Sequence, residues 1–111
     1  MSIKVVTVET DADGEFTYER RMAGVVKGIA IDVGTLSTPD IAISDGVWDT
    51  EILNVTALAA DATYLPMAPA VDEDGAAITD VYASPVIFGS LKIEVTGGGP
   101  NLVGTIRLIF G

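Results

Sequence analysis

Two acidic turn segments come closest, in residue type and spacing, to a metal site. Both have the form Asp-x-Asp-Gly, at residues 11–14 and 72–75. Carboxylates at alternate positions can wrap a hard cation, and the glycine permits a sharp turn. An EF-hand loop also needs a bidentate Glu six residues after the Gly, where this chain has Arg20 and Val81. The segments therefore predict structural turns, with a weak surface cation site as the alternative.

Most of the residue types that carry enzyme chemistry are missing. The chain has no histidine and no cysteine, which excludes disulfides, thiolate zinc sites and Ser-His or Cys-His nucleophile pairs. Paired carboxylates can hydrolyse glycosides, but here they fall in turns or alternate outward on predicted strands. The Gly-rich stretch 97–100 lacks the Lys and Ser or Thr of a phosphate-binding loop. We predict that the protein is not an enzyme and uses no cofactor.

The net charge of the chain limits the kinds of partner that it can bind. Sixteen acidic residues against six basic ones give a formal net charge of −10, so nucleic acid would be repelled. The acidity serves solubility, or it attracts a basic partner or divalent cations.

No apolar run approaches the ~20 residues needed to span a bilayer, and the first residues lack the pattern of a signal peptide. We expect synthesis in the cytoplasm and no membrane association.

The single tryptophan, Trp48, follows a predicted turn at Asp45-Gly46. An aromatic side chain beside a turn can cap the open edge of a β-sandwich, and it can also contact a ligand. Both interpretations stay open at this point.

The elements that position these residues are β-strands, because β-branched residues recur in short alternating runs broken by Gly, Pro, Asp and Asn. We predict one domain, residues 1–111, folded as a single antiparallel β-sandwich, jelly-roll or Ig-like, of about seven or eight strands. The predicted strands are 3–9, 15–22, 25–33, 40–45, 50–58, 86–96 and 102–110. On the third strand, Val25, Ile29, Ile31 and Val33 share one side if Gly28 marks a bulge. The residues predicted to be buried in the closing strands are Phe88, Leu91, Ile93, Val95, Ile106 and Leu108.

A long loop excursion, residues 59–85, lies between the fifth strand and residue 86. It contains Pro66, Pro69 and Pro85, and a proline has no backbone N–H to donate to a neighbouring strand. Loops of about 25 residues in compact domains are usually functional or held by a partner. This one is rich in apolar side chains, which either cap the sandwich or form a subunit interface. The interface candidates are Tyr64, Leu65, Met67, Val71, Ile78, Val81 and Tyr82. We expect a homo-oligomer, with a trimer favoured.

Several stretches resemble small structural proteins of the virions of tailed bacteriophages. They are VKGIAID (26–32), PDIAISD (39–45), ILNVT (52–56), YLP (64–66), FGSLKIEV (88–95), the Gly-rich hairpin and TIRL (105–108). The resemblance covers roughly residues 24–110.

This resemblance implies a non-enzymatic virion protein, either a capsid decoration (cement) protein on the head shell or a component of the head, neck or tail fibre. Its partners would be copies of itself and the major capsid protein or other virion subunits. The alternative from a different class is a β-module that binds a receptor or carbohydrate, with Trp48 and Tyr64 as contacts.

Overall fold

The computed structural model describes residues 2–71, 74 and 77–111, and for 68–71 and 77–81 it describes the backbone alone. The described residues form strands and turns without a helix, as the alternating pattern predicts. The strands are β1 (Ser2–Glu9), β2 (Phe16–Arg21), β3 (Gly24–Asp32), β4 (Asp40–Asp45), β5 (Thr50–Val55), β6 (Ala62–Tyr64), β7 (Ala68–Val71), β8 (Ala77–Ala83), β9 (Val86–Ile87), β10 (Ser90–Thr96) and β11 (Val103–Phe110).

These strands build two antiparallel sheets that pack as a β-sandwich, which confirms the predicted fold class. The first sheet has the order β1-β11-β3-β6, with β9 also paired to β3, and the second has the order β2-β10-β4-β5. Within the first sheet Val6 lies opposite Ile106, and Ile106 lies opposite Ile31. In the second, Ile93 lies between Tyr18 and Ile43. A separate ladder joins β7 to β8.

Both sheets turn one face toward a shared hydrophobic core. Alternate residues of each strand point the same way, and on β10 and β11 the buried positions follow that alternation. The core consists of Val6, Val8, Val26, Ile29, Ile31, Leu36, Ile41, Ile43, Ile87, Leu91, Ile93, Val95, Ile106, Leu108 and Phe110. Burial of one such side chain contributes roughly 1.5–3 kcal/mol, so this cluster is the main source of stability.

The predicted bulge on β3 exists, but it places a different valine in the core. Ile109 lies opposite Gly28 while Phe110 lies opposite Val26, so Lys27 is the extra residue. Because one added residue reverses the alternation, Val26 is fully buried and Val25 is only half-buried. The prediction that Val25 shares one side of the strand with Ile29 and Ile31 was therefore wrong.

The predicted strand 86–96 is interrupted. β9 ends at Ile87 and β10 begins at Ser90, with a bend at Phe88 and Gly89 between them. The bend turns the Phe88 side chain outward, where it is 72% exposed. The prediction that Phe88 is buried was wrong, whereas the other closing-strand residues predicted to be buried are in the core.

The region predicted as a loop excursion contains three strands. β6 pairs with β3 near Ile29 and Ile31, while β7 and β8 pair only with each other in the described part of the chain. Beyond Pro85, β9 returns to the other end of β3. The excursion is thus attached to the sandwich at both ends, and the β7–β8 ladder lies between these attachments.

β1 forms one edge of the first sheet. Its Lys4 side chain turns toward the second sheet, where Nζ lies 5.9 Å from the centre of the Tyr18 ring. An inward-pointing charge on an edge strand discourages pairing with another chain through that edge.

None of the described residues belongs to a helix long and apolar enough to cross a membrane.

Candidate functional site

The turn between β4 and β5 is formed by Asp45, Gly46, Val47, Trp48 and Asp49. Asp49 has a positive φ of 56°, and its backbone N–H donates to the carbonyl oxygen of Asp45 at 2.8 Å. A Cβ at Gly46 would displace the Glu19 carboxylate, so the Glu19 side chain lies directly against the turn. The turn is therefore held tightly against the second sheet.

The Asp45 carboxylate joins this turn to the bend between β9 and β10. Oδ1 accepts the backbone N–H groups of Val47 (3.0 Å), Trp48 (3.3 Å) and Ser90 (3.3 Å), and Oδ2 accepts those of Phe88 (2.8 Å) and Gly89 (3.1 Å). The residue is 1% exposed, and this burial by itself raises its pKa. The hydrogen bonds from the backbone outweigh burial and hold the pKa of Asp45 well below its usual value. A charged carboxylate thus links two segments 43 residues apart.

The two linked segments present three large apolar side chains to solvent. Val47, Trp48 and Phe88 are 59%, 66% and 72% exposed, and we call them the aromatic tip. A Cβ at Gly89 would collide with the Val47 side chain, which shows how closely the two segments approach. Aromatic side chains on rigid backbone lose little conformational freedom on binding and are frequent anchors of interfaces.

Carboxylates surround the base of the aromatic tip. Glu19 lies against Gly46 and accepts a hydrogen bond from Ser90 Oγ at 2.7 Å, and Asp49 directly follows Trp48. Two basic residues are also close: Arg21 lies opposite Ser90 and Lys92 lies opposite Glu19. Lys92 is paired with an acidic residue. Its pKa is raised by the hydrogen bond and charge of Glu94, to which it is paired at 2.9 Å, and further by Glu19 and Asp49. The local charge favours a partner that brings basic side chains.

The sequence identified only part of this site. The Asp45-Gly46 turn was predicted, and Trp48 was noted beside it as a cap or a ligand contact. The 66% exposure of Trp48 means that it does not cap the sandwich. The link between the backbones of Trp48 and Phe88 was missed, since nothing near Phe88 in the sequence shows that Asp45 accepts its N–H group.

The predicted interface residues fall into three groups. Leu65, Met67 and Tyr82 are 75%, 58% and 59% exposed, whereas Tyr64 is half-buried and packs against the core. The side chains of Val71, Ile78 and Val81 lie outside the described residues. The interface assignment stays a prediction. Leu65, Met67 and Tyr82 are the residues of the predicted set whose exposure leaves them free to contact a partner.

The first Asp-x-Asp-Gly segment is built as a turn. Asp11 Oδ1 accepts the N–H groups of Asp13 (2.9 Å) and Glu15 (3.0 Å), and Gly14 has a φ of +77°. In the second segment, the structure describes Asp74 alone. No three Asp or Glu side chains among the described residues are grouped so that they could hold a metal ion.

A cavity of about 350 Å³ lies beside the start of β1, and its lining includes Lys4, Met22 and Phe110. It borders the bend between β9 and β10, since the backbone N–H of Met22 donates to the Gly89 carbonyl oxygen at 3.3 Å, and its lining residues include Lys4 but no acidic side chain. Comparison with protein-family models and with curated protein sequences finds no match to this chain.

Proposed function

We propose that this chain is a non-enzymatic structural protein of a tailed-bacteriophage virion, a capsid decoration or cement protein that assembles on the head shell. The observation that carries the proposal is the aromatic tip. Two exposed aromatic rings, Trp48 and Phe88, lie on backbone that the buried Asp45 carboxylate holds in place. Soluble monomers rarely expose extended apolar patches without using them for binding.

The chemistry of the tip suits a shell surface. The tip offers apolar anchors at its centre and carboxylates at its base, so the complementary surface has an apolar pocket bordered by Lys or Arg. The virion setting comes from the resemblance of residues 24–110 to small phage structural proteins. In this arrangement the exposed Leu65, Met67 and Tyr82 serve contacts between copies or with a neighbouring shell subunit.

A second candidate function is a receptor- or carbohydrate-binding module of the head, neck or tail fibre. The exposed Trp48 ring beside the Asp49 carboxylate favours it, since sugars stack on aromatic rings and donate hydrogen bonds to carboxylates. A glycan array probed with wild-type protein and with Trp48→Ser distinguishes the two functions. Binding of a defined glycan that is lost with Trp48 would favour this second function.

Proteomic mass spectrometry of density-purified particles tests the main proposal. We expect the chain to band with the particles from the strain that carries its gene, in a fixed ratio to the major capsid protein. Its presence only in the unsedimented fraction would contradict a virion role. A Trp48→Ser/Phe88→Ser variant, which leaves the core intact, should appear on particles at reduced occupancy.

A further inference from the structure

The outer face of the first sheet carries an apolar row that crosses β1, β11 and β3 and ends just beyond β6. Ile3 on β1 lies opposite Ile109 on β11, which lies opposite Gly28 on β3. A Cβ at Gly28 would lie 3.6 Å from Ile109 Cδ1 and 3.7 Å from Leu65 Cδ2, so Leu65, just after β6, completes the row. We call Ile3, Ile109, Gly28 and Leu65 the apolar row. Ile3 and Leu65 at its two ends are 56% and 75% exposed.

Polar character increases along the strands away from this row. The next row contains Val5, Arg107 and Ala30, and Val5 is 50% exposed. Arg107 is exposed and has no ion-pair partner within the described part of the chain. One row further, Asp32 lies opposite Thr105. The face therefore has an apolar end, an exposed cation near its centre and an acidic end.

We propose that this face binds the same face of a second copy of the chain, in a two-fold symmetric dimer. This dimer replaces the trimer that was expected from the sequence. Two sheets that pack face to face keep their strands roughly aligned. A two-fold axis parallel to the strands and between β11 and β3 would place apolar row against apolar row. The same axis would put each Arg107 above β3 of the other copy, one row from Asp32.

The charges favour a copy of the chain over another partner. A uniformly basic surface would meet Arg107 at the centre of the face, and a uniformly acidic one would meet Asp32. The same face turned about the two-fold axis places each Arg107 above Ala30 and one row from Asp32, so neither charge faces a like charge directly, as the self-complementarity of an isologous interface requires. This inference does not depend on the proposed virion function, because it concerns the purified chain alone.

The size of the face sets the expected affinity. β1, β11, β3 and β6 have 8, 8, 9 and 3 residues. With about 4.8 Å between strands and about 3.4 Å per residue, they cover on the order of 500 Å² per subunit. Stable interfaces bury about 800 Å² per partner. We therefore expect a reversible dimer with a dissociation constant in the micromolar range rather than an obligate one.

Sedimentation velocity over a concentration series tests the dimer. The wild-type chain should shift from monomer to dimer, and Ile3→Ser/Leu65→Ser should raise the dissociation constant at least about tenfold, as loss of central contacts usually does. The matched control, Trp48→Ser/Phe88→Ser, removes side chains of similar exposure elsewhere and should leave the constant unchanged. A wild-type chain that stays monomeric, or equal weakening by both variants, would overturn the proposal.

Single-cysteine cross-linking identifies the face, because the natural chain has no cysteine. Ala30→Cys lies on β3 opposite Arg107, next to the proposed axis. With sheets about 10 Å apart, a bismaleimide with a spacer of similar length should yield a covalent dimer. Val47→Cys, at the aromatic tip, should not be cross-linked. A trimer, or a dimer cross-linked through Val47→Cys and not through Ala30→Cys, would place the self-contact elsewhere and contradict the proposal.

Discussion

Substitution of Asp45 by Asn removes one of the two carboxylate oxygens that join the β4–β5 turn to the β9–β10 bend. Asn offers a single carbonyl oxygen and a donating NH₂ group, whereas the carboxylate accepts five backbone N–H groups. The NH₂ group of Asn would take the place of one carboxylate oxygen. It would then face either the two backbone N–H groups that donate to Oδ2 or the three that donate to Oδ1. Unsatisfied buried donors are among the established causes of large destabilisation. We expect Asp45→Asn to lower the melting temperature by roughly 10 °C, and Asp45→Ala by more.

The pH dependence gives this prediction a second readout. The folded pKa of Asp45 lies below its usual value of 3.8, so the unfolded chain takes up the proton first as the pH falls. The carboxylate therefore stabilises the fold fully at pH well above 3.8, and this contribution is lost as the pH falls through the folded pKa. The difference in melting temperature between wild type and Asp45→Asn should be largest near pH 6 and shrink toward pH 2.

Thermal melts followed by circular dichroism supply these values, and the fluorescence of the single tryptophan reports on the aromatic tip. Loss of the N–H acceptor for Trp48 should lower its fluorescence anisotropy before the main unfolding transition. Equal melting temperatures for wild type and Asp45→Asn, or a difference that does not change with pH, would refute the assigned role of the carboxylate.

Four further predictions concern other positions. Tyr18→Phe removes a buried hydroxyl for which no described residue offers a hydrogen-bond partner, so denaturant titration should show an unchanged or higher stability, by about 1 kcal/mol at most. Gly34→Ala should destabilise by about 2 kcal/mol or more, because φ is +53° and a Cβ would collide with the Val103 carbonyl oxygen. Ile93→Ala should cost about 2–5 kcal/mol and Phe88→Ala under about 0.5 kcal/mol, since the two side chains are 0% and 72% exposed; similar losses would contradict the placement of Phe88. Calorimetry with calcium should show no sub-micromolar binding, since the first acidic segment lacks the distal bidentate carboxylate and Asp11 already accepts two backbone N–H groups.

The sandwich and most of its core could be predicted because alternation is a local property of the sequence. Leu91, Ile93 and Val95 alternate with polar residues on β10, and the structure buries all three. Val26 and Phe88 were misplaced for non-local reasons. The bulge that turns Val26 inward depends on the register against β11, and the bend at Phe88 depends on a carboxylate in the β4–β5 turn.

The candidate site was harder to predict than the fold, because it joins two segments that are far apart in sequence. Taken alone, Trp48 is consistent with a cap on the sandwich edge or with a ligand contact. Taken alone, Phe88 is consistent with a residue inside a strand. Their backbones are brought together by the pairing of β4 with β10, by the hydrogen bond from Gly46 N–H to the Ser90 carbonyl oxygen, and by the N–H groups of residues 88–90 that donate to Asp45. The same holds for the apolar row, whose members come from β1, β3, β11 and the end of β6, and which becomes visible only with the strand order.

Cryo-electron microscopy of particles purified with the chain bound tests the central claim most directly. The map should show the sandwich on the head shell, with Trp48 and Phe88 facing the major capsid protein and basic side chains of the shell near Glu19 and Asp49. Heads without density for the chain, or a bound chain whose aromatic tip points to solvent, would contradict the proposed role.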